Sequence, residues 1–271
     1  MSEQAERASR FLSLHRPGRP LLLPNPWDAG SAKLLESLGF EALATTSSGF
    51  AATLGRLDGS VNRDEVLAHS AAIVAASGLP VSADLENGFA DRPEGVAEAV
   101  KGALAAGLAG CSIEDYTGRS EEPIYELAAA RERVAAAAEA AHAGPTRLVL
   151  TGRAENYLHG RPELVDTITR LQAYQEAGAD VLYAPGLTDA REIRELVNSV
   201  DRPVNILARP RGPSVAELAE LGVSRVSVGG AFAFAALGAL VAAAQELRER
   251  GTYGFADQAR LGLEAVRKAF A

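Results

Sequence analysis

Lysine is almost missing from this chain: in 271 residues only Lys33, Lys101 and Lys268 occur. All three fall in segments that read as helix, so none stands at a strand end where Schiff-base chemistry would need it. Cysteine is scarcer still. Cys111 is the single copy, which excludes an internal disulfide, and inside an apolar run it reads as a small core residue. Basic residues number 27 against 35 acidic ones, a formal charge of −8 with no basic cluster, which argues against a nucleic-acid partner. The start, Met1-Ser2-Glu3-Gln4-Ala5-Glu6-Arg7, is charged and lacks the apolar core of a signal peptide, so the expected location is cytoplasmic. Charge-free apolar sequence is concentrated in Val226–Ala244. Its wealth of Ala and Gly predicts a strand followed by a buried helix and no membrane span. No Pro/Ser-rich linker or low-complexity tail interrupts the chain, and residues 1–271 are read as one domain.

What is present is alternation. Short β-rich runs are predicted at Leu21–Leu23, Ala42–Thr45, Pro80–Ala83, Gly110–Glu114, Arg147–Thr151, Asp180–Tyr183, Pro203–Leu207 and Arg225–Val228. Helices are predicted at Glu3–His15, Ser31–Leu38, Arg63–Ala76, Pro93–Ala106, Leu127–Ala143, Pro162–Ala177, Asp189–Asn198 and Ser214–Leu221, with Ala231–Arg250 and Phe255–Phe270 at the end. Gly39, Gly107, Gly178 and Gly222 each stand where a helix needs a left-handed cap before the next strand. Eight strand-helix units force parallel pairing through right-handed crossovers and close into a (β/α)8 barrel of the α/β class.

In such a barrel the chemistry gathers at the C-terminal ends of the strands. The third strand stops at Asp84-Leu85-Glu86-Asn87-Gly88, where an Asn-Gly turn follows two acids spaced to point the same way. The fourth stops at Glu114-Asp115. Three or four converging carboxylates, from Asp84, Glu86, Glu114 and Asp115, with no Cys or His ligand nearby suit magnesium or manganese. Other strand ends are polar too: Thr45-Thr46-Ser47-Ser48-Gly49, Gly152-Arg153-Ala154-Glu155, Asn205 with Arg209, and Pro24-Asn25-Pro26-Trp27-Asp28.

These motifs resemble the isocitrate lyase and phosphoenolpyruvate mutase superfamily, in the family's order and over nearly the whole chain. Ser47-Ser48-Gly49 is similar to the loop that holds a substrate carboxylate. Leu54-Gly55-Arg56-Leu57-Asp58-Gly59 is similar to the gating segment whose aspartate, here Asp58, approaches the metal shell. Ala83-Asp84-Leu85-Glu86-Asn87-Gly88-Phe89 resembles the Asp-x-Asp-x-Gly-Tyr metal motif, with Glu86 replacing the second aspartate. Arg153 matches the fifth-strand arginine that binds a carboxylate. The resemblance implies a (β/α)8 barrel whose last helix packs on a neighbouring subunit, a homo-oligomer, usually a tetramer, and a small carboxylate as substrate.

The chain departs from that pattern after the fourth strand. Relatives that cleave by retro-aldol chemistry carry a Lys-Lys-Cys-Gly-His loop there; this chain has Tyr116-Thr117-Gly118-Arg119-Ser120-Glu121-Glu122-Pro123. The lysine and asparagine with which the mutase branch holds a phosphonyl group are absent as well. What the resemblance then implies is a magnesium-dependent enzyme that acts on a small 2-oxo dicarboxylate through a metal-stabilised enolate, of the oxaloacetate decarboxylase type. Asp84, Glu86 and Glu114 are its candidate metal ligands, Asp58, Arg153 and Glu155 its candidate catalytic residues, and Ser47, Ser48, Gly49, Arg153 and Asn205 its substrate contacts. Three alternatives stay open: a lyase for 2-methylisocitrate or an alkylmalate, a P–C bond phosphonomutase or hydrolase, and a 2-oxo acid binding protein without turnover. Tyr116, Glu155 and His159 are candidates for the missing acid-base group, and Tyr157 or Tyr183 for the proton donor.

Overall fold

All eight predicted strands form in the computed structural model, which describes residues 2–271. They are β1 (Leu21–Leu23), β2 (Leu43–Ala44), β3 (Val81–Asp84), β4 (Gly110–Glu114), β5 (Val149–Arg153), β6 (Val181–Tyr183), β7 (Val204–Leu207) and β8 (Arg225–Ser227). They pair in parallel in the order β1-β8-β7-β6-β5-β4-β3-β2, a nearly closed barrel. The seam between β1 and β2 is bridged by the Ala44 N–H, which donates to the Pro24 carbonyl (3.1 Å). The strands are short because each serves only as one stave; their residues are largely buried, except Leu22 of β1, which is exposed.

The helices are α1 (Glu3–Ser13), α2 (Ala29–Ser37), α3 (Ser47–Thr53), α4 (Arg63–Ala76), α5 (Pro93–Ala105), α6 (Leu127–His142), α7 (Leu164–Glu176), α8 (Ala190–Asn198), α9 (Val215–Glu220), α10 (Ala231–Arg250) and α11 (Ala256–Ala269). Helix α1 packs Ala8 and Phe11 against Leu21, Leu23, Val149 and Val181, and so plugs the N-terminal end of the barrel with an apolar layer. At the junctions before β4 and β6, Gly107 (φ 82°) and Gly178 (φ 107°) take the left-handed cap that a side chain at those positions would strain.

Three local readings are corrected. Ser47-Ser48-Gly49, expected in a loop, opens α3, whose N-cap Thr46 accepts the Gly49 N–H. Strand β5 runs two residues past Thr151, because Glu114 and Tyr183 remain in register with Arg153 on either side. Helix α10, expected to be buried, is exposed: only Ala233 is buried, while Phe234, Leu240 and Val241 face outward. By length and composition α10 is apolar enough to cross a membrane. An apolar run reports what a helix contains and not what covers it. Gly251 (φ 65°) and the Glu246 carboxylate, which accepts from Thr252 Oγ1 (2.6 Å) and Gly254 N (2.7 Å), turn the chain into α11. The end of α11 lies on α2 of the same chain, with Lys33 Nζ 5.8 Å from the centre of the Phe270 ring.

Candidate active site

Two adjoining cavities open at the C-terminal ends of the strands and share Ser47, Asp58, Arg153 and Leu158. The inner one, about 220 Å³, reaches into the barrel to Ser82, Ser112 and Ser227. The outer one, about 560 Å³, is lined by Glu86, Glu114, Tyr116, Glu155 and His159 among others. These linings bring together most of the residues the motifs singled out.

Arg153 is the hub between them. Its Nη1 lies 3.4 Å from Asp84 Oδ1 and 3.2 Å from Glu114 Oε2, and its Nε donates to Glu155. Burial opposes its charge, yet Glu155, Glu114 and Asp84 together hold the guanidinium well above the ordinary arginine range. The Tyr183 ring backs it, 5.2 Å from the guanidinium carbon. Burial pushes the Glu114 carboxyl well up, against the pull of Arg153. At Glu155 burial acts the same way but is outweighed by Arg153 and His159, so that carboxyl stays below its usual value. Asp84 and Glu114 thus both lie against Arg153, and among the described residues no three His, Cys, Asp or Glu side chains stand close enough to form a ready metal cage.

Glu86 is the exception that points to a cation. Its Oε1 is buried with no hydrogen-bond partner, and burial, then Asp84 and Asp58, push its carboxyl up to about 8. It also holds φ at 49°, a left-handed conformation that costs a non-glycine residue about 1–3 kcal/mol and needs outside support. An orphaned carboxylate oxygen beside Asp84, in an oxygen-only donor set, fits a hard divalent ion.

The carboxylate-binding wall is smaller than the motif implied. Ser47 and Ser48 line the inner cavity, and Ser48 Oγ lies 3.2 Å from Thr46 Oγ1. Gly49 instead spends its N–H on Thr46, and a Cβ there would meet Thr46 Cγ2 at 2.5 Å, so it is required for packing. Asn205 is a second correction. It is 1% exposed, lines neither cavity, and donates its Nδ2 to Ser227 Oγ (3.0 Å), orienting a residue that does face the cavity. Asp58 sits on an exposed loop with its carboxyl turned to Ser47; partial desolvation raises its pKa, and Asp84 adds to the shift. Arg56 of the same loop pairs with Glu65 at the surface (3.0 Å).

The expected acid-base candidates separate clearly. Tyr157 donates to Glu192 Oε2 (3.2 Å), and Tyr183 is buried beneath Arg153. Tyr116 stacks on His159 with ring centres 3.8 Å apart, and His159 Nε2 stands 3.7 Å from Glu155 Oε2. Cys111 is buried, and burial pushes its thiol up to about 12, as befits a core residue.

Two supports have roles that the sequence did not assign: Asp115, read there only as an acidic strand end, and Arg133, which the motifs passed over. Asp115, pushed up to about 6 by burial, accepts from Tyr174 Oη (2.6 Å) and from the Glu155 N–H (2.7 Å), fixing the start of the segment after β5. Arg133 on α6 donates to the carbonyls of Asn87, Ala90 and Asp91, the loop that follows the Asp84-Leu85-Glu86 motif. The signal for it was helical spacing: Arg133 falls among Ala130, Val134 and Ala137, on the face that packs inward.

The phosphoenolpyruvate phosphomutase family matches residues 11–248. A protein of Burkholderia cenocepacia J2315, provisionally described as a lyase/mutase, has a crystal structure that superposes with a TM-score of 0.91 at 56% identity, covering 94% of this chain and 92% of that one. An uncharacterized protein of Mycobacterium tuberculosis H37Rv is 35% identical over 221 residues, 81% of each chain. The 2-methylisocitrate lyase of Escherichia coli K12 is 30% identical over 211 residues, 71% of this chain and 70% of the enzyme.

Proposed function

From the premise that this chain belongs to the isocitrate lyase and phosphoenolpyruvate mutase superfamily, a family of lyases and mutases, we propose that it is a magnesium-dependent decarboxylase of oxaloacetate or a closely related β-carboxy-2-oxo acid. The observation that carries the reading is the segment after β4. It is folded down by the Tyr116–Ile124 bridge and by Thr117 Oγ1 donating to the Glu122 carbonyl (2.5 Å), and it brings no lysine or cysteine to the cavity. A retro-aldol lyase must take a proton from a hydroxyl and return one to carbon, whereas decarboxylation needs only the second transfer.

Asp84, Glu86 and Glu114 would hold the metal, which supplies positive charge opposite the developing oxyanion when bound. Arg153 binds the carboxylate at C1, with the Ser47 and Ser48 hydroxyls on the other wall. The C3–C4 bond breaks, C4 leaves as carbon dioxide, and the electron pair passes to the C2 oxygen. His159, backed by Glu155 and stacked on Tyr116, returns a proton to C3 and regains it from water. Asp58, on the loop over the cavity, has its carboxyl against Ser47.

Product analysis tests the reading. Pyruvate should form from oxaloacetate above the magnesium-only background, with little glyoxylate from isocitrate. Glyoxylate appearing faster than pyruvate at the same magnesium concentration would overturn it.

The same reading includes assembly as a homo-oligomer, a tetramer, in which the exposed apolar residues of α10 and the C-terminal helix are covered by a neighbouring subunit. The support is the exposure of Phe232, Phe234, Leu237, Leu240 and Val241 along one helix.

A further inference from the structure

We infer that Arg225 is a fixed cation under the floor of the inner cavity and selects ligands by charge, favouring dianionic over monoanionic carboxylates; this rests on the carboxylate-binding reading above. Arg225 opens β8 and is 4% exposed. Its Nη2 donates to Thr151 Oγ1 (3.1 Å), its Nη1 lies 3.2 Å from His15 Nε2, and its Nε has no partner. His15 Nδ1 is 2.8 Å from the Phe11 carbonyl, so that nitrogen carries the proton and Nε2 accepts from Arg225. Both partners are therefore neutral. Among the described residues, no Asp or Glu forms a salt bridge with Arg225, although a buried charge is ordinarily paired. Burial lowers its pKa only to about 10, so it stays charged at neutral pH.

Its place in the barrel gives this unpaired charge a direction. Arg225 lies two residues before Ser227 on one strand and reaches across to Thr151, the register partner of Ser112. Ser227 and Ser112 both line the inner cavity, which puts the guanidinium one residue layer beneath it. Below, α1 with Phe11 and His15 closes the barrel and keeps water from screening the charge. Above, Arg153 is already shared by Asp84, Glu114 and Glu155, so its single positive charge is taken up by acidic neighbours. That wall alone disfavours a dianion. Arg225 offsets it from the opposite side, at no cost in accessible surface.

The test compares oxalate with oxamate, its monoanionic isostere, by titration calorimetry on the full chain in the presence of magnesium. Arg225→Met should lower the oxalate-to-oxamate affinity ratio about tenfold without lowering the Tm, since it also removes an unpaired buried charge. His15→Glu sets a carboxylate against the guanidinium and should lower the ratio as well, while His15→Gln, which stays neutral, should leave it unchanged. Should Arg225→Met fail to fold, the two His15 variants decide the matter. A folded Arg225→Met or His15→Glu protein with the wild-type ratio would overturn the inference. A wild-type protein that binds neither ligand would overturn the carboxylate reading itself, and this inference with it.

Discussion

Arg133 Nη1 donates to the carbonyl oxygens of Ala90 (2.5 Å) and Asp91 (2.6 Å), so a helix 42 residues further along the chain holds the loop that follows the acidic motif of β3. The Tyr125 ring lies against the same guanidinium, 4.1 Å away, and Tyr125 in turn donates to Asp91. The clamp grips the carbonyls on either side of Phe89 (φ 57°) and just after Glu86, both of which hold left-handed backbone. Arg133→Met should cost about 3 kcal/mol by leaving carbonyls unpaired, and should weaken magnesium binding beyond that, with Arg133→Lys recovering part of both. Denaturant unfolding and calorimetric magnesium titration separate the two effects; a stability loss with unchanged magnesium affinity would reduce Arg133 to a packing role.

Asp84→Ala should abolish magnesium-dependent oxalate binding while leaving the fold intact, because Asp84 stands at a strand end beside the cavity. Glu86→Gln should weaken it by about tenfold or more, since the orphaned oxygen becomes a neutral one. Treatment of the wild-type protein with EDTA should have the effect of Asp84→Ala. Oxalate affinity that survives EDTA would remove the metal from the reading.

His159→Gln should lower kcat on oxaloacetate about a hundredfold with little change in KM, as expected for a proton donor that adds nothing to ground-state binding. Tyr116→Leu, which removes only the stacking partner, should have a smaller effect in the same direction. Equal losses in kcat and in carboxylate affinity would assign His159 to binding.

His15 should shape the acid limb of stability. Burial, reinforced by Arg225, holds its folded-state pKa at about 3 against 6.5 for the free side chain. The unfolded chain therefore binds the proton first, and the stability present above pH 6.5 is lost as pH falls towards 3. At pH 5 the loss is about 2 kcal/mol. Thermal unfolding from pH 7.5 to 4.5 should show a steeper fall for the wild type than for His15→Gln, and parallel curves would refute the assignment.

Light scattering at micromolar concentration should find an oligomer, and Leu240→Asp with Val241→Asp on the exposed side of α10 should dissociate it. A wild-type monomer would leave α10 without its proposed cover.

Much of the fold was legible because periodicity is local. Alternating strands and helices, with Gly107 and Gly178 at the helix ends, need no knowledge of distant contacts, and all eight strands appear where short apolar runs stood. The site was legible in outline for a similar reason: barrel topology sends every strand end to one face, so Asp84, Glu114 and Arg153 had to be neighbours. Errors arose where a local motif has two structural outcomes. Ser47-Ser48-Gly49 forms a helix start as readily as a loop, and Asn205 at a strand end can face the cavity or a neighbouring side chain.

By itself, then, the amino-acid sequence determined the architecture, the acidic strand ends and the missing Lys-Lys-Cys-Gly-His loop, all of which are properties of residue type and order. Tertiary structure alone decided how charge is apportioned: that Asp84 and Glu114 lean on Arg153, that Glu86 is left with an unpaired oxygen, that Arg133 holds the Asn87–Asp91 loop, and that Arg225 is buried beside neutral partners. The physical reason is that the energy of a charge depends on its solvent access and on neighbours a few ångströms away. In this chain those neighbours come from strands and helices as much as 210 residues apart in sequence.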